Sequence, residues 1–590
     1  MYKERLTAIR ALLKENQVAA CILPSSDPHL SEYLPEHYRA VRFASGFTGS
    51  AGTLVITQGF AGLWTDSRYF TQAESQLEGT GYELVQLKVP HTPEYIAWLA
   101  EHLPAGATVA VDFRLLSVQL GLQLKEQLER RQLQLADQDL MSLLWENRPP
   151  LPSAPAFLLP EEACGKTIAE KLQQLRSALD RSGCSHHLVS TLDDVAWLCN
   201  LRGQDVAYNP VVTSFVLLDR QEAALFIDKE KIDPATEQAL AANGLAVLPY
   251  TGIVPTIAQL PGDATVLLDD RRTNYKLYTL LPATTRVRLE TNPTTVAKAV
   301  KNEVELRHFR QCMITDGLAL TRFFKWLEDF LGKEKITEIS AADKALWFRE
   351  QHQNFAGPSF ASISGYQASA ALPHYHPEPE TEAELQPRGL YLLDSGGQYR
   401  YGTTDITRTV SLGENSLEEK RDYTLVLSAL LAGSSARFPK GTKGYQVDAL
   451  VRAPLWEQGI NYGHGTGHGI GYFLNVHEGP QNIGPAPQPV ALEPGMITSI
   501  EPGIYRPGKH GVRIENLVLT VNSDATEFGE FLSFETLTLA PIDTRPVLPD
   551  LLPEAHRQWL NAYHERVYHS LSPYLDAEEA RWLQQKCRPI

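Results

Sequence analysis

The chain has 590 residues, well past the length at which one hydrophobic core keeps growing, so roughly two to four domains are expected. Apolar residues make up 43% and charged residues 21%, the balance of an ordinary globular protein and not of a disordered one. A net charge of −16 without any Lys/Arg run argues against nucleic acid or an anionic membrane as a partner.

The opening stretch, MYKERLTAIRALLKENQ, sets Leu and Ile among charges at helical spacing, which predicts a helix and lacks the apolar run of a signal peptide. No segment approaches the roughly 20 apolar residues of a membrane span. Cys21, Cys164, Cys184, Cys199, Cys312 and Cys587 are scattered without a CxxC pair, as expected of reduced thiols in a cytoplasmic protein. The runs AACILP, GTLVIT and TVAVD alternate with helical patterns and predict an α/β domain over residues 1–146. A proline-dense stretch, 146–162, reads as an exposed connector. HHLVSTL, FVLLD, AALFID and TVLLDD repeat the alternation, giving a second α/β domain over 147–302, with His186 and His187 as ordinary partly buried residues.

From residue 303 the style changes. Apolar residues at Leu306, Phe309, Met313, Leu320, Phe324, Leu327 and Leu331 predict a helix over 304–331. Further helices over 419–432 and 445–458 mix with Gly-rich strands, so an α+β domain is expected over 303–545. The spacing in 546–590 predicts a helical extension with His564 and His569 on its surface. Trp347 and Trp456 fit a core stripe as well as a substrate pocket.

The chemistry concentrates in the third region. Asp394 closes GLYLLD and Asp405 opens DITRTV, and the glycines of SGGQYRYGTT between them suit a hairpin that sets the two carboxylates side by side. Such a pair repels unless a cation sits between them. His468 lies in YGHGTGHGIGY, whose five glycines predict an irregular loop in place of a helix or regular strand. Glu501 ends MITSIE between two Pro-Gly turns, and Glu515 lies in GVRIENLVLT, read as one strand. Each of these residues alone is commonly a solvated turn residue or an ion-pair partner; the ordered set of five is what points to function. Four carboxylates and one imidazole form a hard, oxygen-rich set suited to two Mn²⁺, Zn²⁺, Co²⁺ or Fe²⁺ ions, and hence to metal-assisted amide hydrolysis.

The order Asp394, Asp405, His468, Glu501, Glu515 resembles that of the pita-bread metallopeptidases, which include methionine aminopeptidase, proline dipeptidase, Xaa-Pro aminopeptidase and creatinase. LLDSGGQYRYGTTDITRT, GHGTGHGIG, VHEGP, SIEPGIY and RIEN resemble the motifs of the aminopeptidase P family. FASGFTGSAGTLVIT, WTDSRYF, LDDVAWLCNLRG and NPVVTSFVLL resemble the two noncatalytic domains of its long, three-domain cytosolic form. The resemblance implies two creatinase-like α/β domains, a pita-bread catalytic domain and a C-terminal helical extension. It makes Asp405 and Glu515 bridging ligands, places Asp394 on one metal, and places His468 and Glu501 on the other. It makes His374, His464 and His477 active-site histidines, Tyr505 an active-site tyrosine and Arg513 an outer partner, with Arg408 another. It further implies a homodimer that cleaves peptides beginning Xaa-Pro by attack of a hydroxide bridging two ions, most simply Mn²⁺. A proline dipeptidase and a metal-free binding protein of the same fold are the alternatives.

Overall fold

The computed structural model describes residues 1–89 and 92–590. The chain forms two compact units, residues 1–160 with 166–294, and residues 161–165 with 295–590.

In the first unit the Ala20–Pro24 strand is buried along its whole length. Its alternating side chains enter two cores: Cys21 and Leu23 pack with Leu6, Ile9 and Leu13 of the helix Tyr2–Glu15. Ala20 and Ile22 pack with Leu99 and Leu124 of the helices Tyr95–His102 and Val118–Glu129. Helices on both faces explain why this strand reads as an unbroken apolar run. The sheet order is Glu83–Gln86, Ala61–Thr65, Thr53–Thr57, Ala20–Pro24, Thr108–Val111, Gln134–Asp137. A second sheet runs Ala246–Pro249, Ala223–Ile227, Ser214–Asp219, His186–Val189, Thr265–Leu268, Arg286–Leu289. Ranked by position in the chain, the strands of both sheets follow the same spatial order, in keeping with the repeated alternation in the sequence.

The proline-dense stretch is more than a connector. Phe157–Leu158 pairs with Leu201–Arg202, and Ala156 and Leu159 are buried. His187 is fully buried, at 0% exposure, where a partly buried residue was expected. Its Nδ1 donates to Leu267 O (3.1 Å), its Nε2 has no hydrogen-bond partner among the described residues, and burial pushes its pKa down to about 4. The unfolded chain therefore takes up this proton first as pH falls. Stability should be complete above about pH 6.5 and decline toward pH 4, by about 3 kcal/mol from this group. His187→Gln should flatten that slope in urea titrations between pH 7 and pH 4, and an unchanged slope would refute the assignment.

In the second unit the long helix Glu303–Phe330 is started by a reciprocal cap between Asn302 and Glu305. Leu306, Phe309, Met313, Leu320, Phe324 and Leu327 form its buried stripe. A three-stranded sheet, Ile363–Tyr366, Leu390–Ser395 and Ile406–Ser411, pairs Asp394 with Thr407. A six-stranded sheet runs Arg437–Pro439, Gly529–Thr536, Asn516–Thr526, Ile497–Ile500, Gly467–Gly469, Glu478–Ile483. Gly503–Arg506 and His510–Arg513 form a separate hairpin. The unit also contains a small sheet of Phe355–Pro358, Gly397–Tyr399 and Gly402–Thr403 and the helices Glu338–Glu350, Leu417–Ser434, Gly444–Trp456, Glu554–Leu571 and Ala577–Lys586.

Two expectations need correction. Trp347 and Trp456 are 45% and 50% exposed, so neither belongs to a core stripe. His564 is buried within its helix, whereas His569 is exposed as expected. No disulfide joins any of the six cysteines, and among the described residues no helix is long and apolar enough to cross a membrane.

Candidate active site

Five segments distant in sequence deliver the five candidate ligands. Asp394 is the penultimate residue of Leu390–Ser395, and Asp405 immediately precedes Ile406–Ser411. Glu501 immediately follows Ile497–Ile500. Glu515 sits between His510–Arg513 and Asn516–Thr526, so the single strand expected through GVRIENLVLT is broken there and its halves join different sheets. His468 lies in a three-residue strand, Gly467–Gly469, in place of a purely irregular loop. Glycine is what makes that strand feasible: a Cβ on Gly467 would lie 1.8 Å from Ser499 O, and one on Gly469 would lie 2.4 Å from Glu478 O. Sheet pairing overrides the poor strand propensity of glycine.

The ligating atoms fall into three overlapping triples, each with all its atoms within 4.8 Å of one another: Asp394, Asp405 and Glu515; His468, Glu501 and Glu515; Asp405, His468 and His477. The first two triples share Glu515, which suits a carboxylate that bridges two ions. His468 Nε2 lies 3.4 Å from Asp405 Oδ2 and 3.5 Å from Glu501 Oε1. Because His468 Nδ1 donates to Gly469 O (3.0 Å), Nε2 is the lone-pair nitrogen turned toward the carboxylates. His477 joins the third triple with its ring 4.4 Å from that of His468. His374 belongs to none of the triples. It follows Pro373, whose carbonyl accepts from Arg513 Nη2 at 3.4 Å.

The donor set fits divalent cations. Asp394 Oδ1 and Glu515 Oε1 are buried with no hydrogen-bond partner among the described residues. Burial raises the Asp394 pKa, with Arg513 opposing and Asp405 adding to the rise. Burial also raises Glu501, to about 7, with His468 opposing. Glu515 is pushed well above the carboxylate range by burial and then by Asp405, Glu501 and Asp394. Acids crowded this way are costly unless cations neutralise them.

A chain of hydrogen bonds supports the cluster. Arg513 donates through Nη2 to Asp394 Oδ2 (2.7 Å), through Nη1 to the Tyr505 hydroxyl (2.8 Å) and through Nε to Thr407 Oγ1 (3.2 Å). Thr407 Oγ1 donates in turn to Glu515 Oε2 (2.8 Å). His464 Nδ1 faces the Gly465 carbonyl (2.7 Å) and so carries its proton, which leaves Nε2 to accept from Tyr505 OH (2.7 Å). Desolvation and then Arg513 push the His464 pKa down to about 3, keeping the ring neutral. Glu478, next to His477, is anchored by Lys301 (2.5 Å) and Lys298 (3.1 Å).

Thr407 and Ser499, which donates to Glu501 Oε1 (3.2 Å), escaped the sequence reading. Each lies two residues from a candidate ligand, and the period-2 alternation of a strand was the available signal.

The family model for metallopeptidase family M24 matches residues 307–522, and that for the C-terminal region of peptidase M24 matches 530–590. Creatinase/prolidase N-terminal domains match residues 5–143 and 147–305. A probable Xaa-Pro aminopeptidase P of Sordaria macrospora is 40% identical, covering 100% of this chain and 99% of its own. A counterpart in Metarhizium robertsii is also 40% identical, with 99% of each chain covered. The crystal structure of an X-prolyl aminopeptidase from Caenorhabditis elegans, described as a cytosolic enzyme with a di-nuclear active site, superposes with a TM-score of 0.95 at 35% identity over 100% of both chains. A Xaa-Pro dipeptidase from Bacillus anthracis, at 27% identity and TM-score 0.52, covers 64% of this chain and 99% of its own. The chain belongs to metallopeptidase family M24, within its group of full-length Xaa-Pro aminopeptidase P relatives.

Proposed function

We propose that the chain is a dinuclear metal-dependent aminopeptidase that releases the first residue of peptides whose second residue is proline. The observation that carries this reading is the pair of ligand triples sharing Glu515, in a chain aligned end to end with Xaa-Pro aminopeptidase P relatives. Asp394 together with Asp405 and Glu515 would hold one divalent ion, and His468 and Glu501 together with the same Asp405 and Glu515 its neighbour. When bound, such a pair supplies an acidified water and a Lewis acid for the scissile carbonyl, with Mn²⁺ the simplest occupant and Zn²⁺, Co²⁺ or Fe²⁺ compatible.

The chain's own groups do the rest. Arg513 and Thr407 fix the carboxylates of Asp394 and Glu515. Glu501 takes the proton of the attacking water and delivers it to the departing nitrogen. The bond from the first residue's carbonyl carbon to the proline nitrogen breaks as that tertiary nitrogen is protonated. His477 lies against His468, and His374 follows Pro373, whose carbonyl accepts from Arg513; we assign them to the tetrahedral oxyanion and to proton transfer. His464 serves by orienting Tyr505. A cytosolic location, as described for the C. elegans enzyme, and a homodimer built on residues 303–545 complete the reading.

The test is a peptide series varying only the second residue, assayed with and without Mn²⁺. Cleavage is expected only with proline at that position and only in the loaded enzyme. Hydrolysis confined to Xaa-Pro dipeptides would make the chain a dipeptidase. Less than about one Mn²⁺ retained per chain would make it a binding protein.

A further inference from the structure

Arg408 follows Thr407 in the strand that Asp405 opens, and its side chain is 1% exposed. Its five N–H groups are all engaged. Nε donates to Pro541 O (3.1 Å), and Nη1 donates to Thr407 O (3.1 Å) and Glu515 O (2.6 Å). Nη2 is shared among Asn516 Oδ1 (2.9 Å), Ala540 O (2.9 Å) and Tyr563 OH (3.0 Å). None of these acceptors is a carboxylate. An interior charge ordinarily has an ionic partner, so a guanidinium ringed by neutral oxygens is placed for its geometry. Only arginine offers five donors in a rigid fork, and lysine would leave several of these oxygens unpaired.

The acceptors divide into two groups. Thr407, Glu515 and Asn516 belong to the segments that present candidate ligands. Ala540, Pro541 and Tyr563 belong to the C-terminal region matched separately from the catalytic family model. Tyr563, on the helix Glu554–Leu571, is buried and stacked on Trp559 (5.4 Å, 14°). Its hydroxyl accepts from Arg408 and donates to Ala540 O (2.7 Å). The segment from 537 onward is laced to the strand Asn516–Thr526, with Leu537 N donating to Leu517 O (2.8 Å) and Leu517 N to Thr538 Oγ1 (2.8 Å).

We propose that Tyr563, acting through Arg408, is a positioning residue for the metal centre, so that the C-terminal helix takes part in setting metal affinity. The inference rests on the dimetal reading above, and the control keeps the two separable. Tyr563→Phe removes one oxygen and keeps the ring packing. Tyr568→Phe, on the same helix outside this network, is the comparison. Full-length wild type and both variants are stripped and titrated with Mn²⁺ by calorimetry, and kcat and KM are then measured on an Xaa-Pro tripeptide.

Tyr563→Phe is expected to bind Mn²⁺ about 10-fold more weakly, the lower end of the range for outer partners of metal ligands, with kcat reduced and KM unchanged. Tyr568→Phe should match wild type. A structural role alone would lower the melting temperature and leave Mn²⁺ affinity intact, and that outcome overturns the proposal. Wild type that fails to bind Mn²⁺ overturns the dimetal reading instead. Should Tyr563→Phe not fold, Arg408→Lys, which keeps the charge without the fork, must show the same loss of affinity for the proposal to stand.

Discussion

Glu515→Gln is expected to cut turnover by about 10³-fold or more while making the metal-free protein more resistant to heat. Both effects follow from one placement. Glu515 belongs to two of the three ligand triples, so its loss weakens both ion positions. Without cations it is a buried acid with one oxygen unpartnered among the described residues and three carboxylates close enough to repel it. The amide has the same shape, still accepts from Thr407 Oγ1, and turns an N–H toward those carboxylates. An acid whose pKa is raised on folding must take up a proton to fold near neutral pH, a cost that a permanently neutral amide does not carry. Calorimetry of EDTA-treated samples should show the variant melting above wild type. Mn²⁺ should then reverse the order, because only wild type gains fully from binding. A metal-free variant that melts lower, or one with full activity, contradicts the assignment.

Arg513→Met should do the opposite to the metal-free protein. The guanidinium is buried and is donor to Asp394, Tyr505 and Thr407 at once. Removing it strands the Asp394 carboxylate, and breaking a buried pair from one side costs about 3–5 kcal/mol. Activity should fall by about 10- to 100-fold, since Asp394 and Glu515 both lose their orientation. Arg513→Lys should recover part of the stability and little of the activity, because an ammonium cannot span three divergent acceptors. Urea denaturation of the metal-free variants decides the matter, and a loss below about 1 kcal/mol for Met would show that Asp394 does not depend on this arginine.

The candidate ligands were legible because Gly and Pro flank them, marking short elements that end on an acid or a histidine. The long helix from Glu303 was legible from its stripe of apolar residues and its Asn302 cap. Other features escaped for definite reasons. The pattern Val512, Ile514, Leu517 is the same whether the chain stays in one sheet or changes sheets, so the break at Glu515 left no mark. His468 lies in a strand because neighbouring backbones pair with it, a tertiary effect invisible to local propensity. His564 is different. Leu560, Tyr563, His564, Val567 and Leu571 form a buried helical stripe whose spacing was there to be read, and the polar residue type disguised it. Thr407 and Ser499 could likewise have been found by alternation from Asp405 and Glu501.

The close approach at Gly467 and Gly469 means that the main-chain oxygens of Ser499 and Glu478 press closest on the strand that carries the imidazole of His468. Carbonyl oxygens stay where they are when a leucine elsewhere becomes a valine. Drift in the apolar interior is thereby uncoupled from the imidazole nitrogen that we propose meets a cation, so the interior can change without moving it.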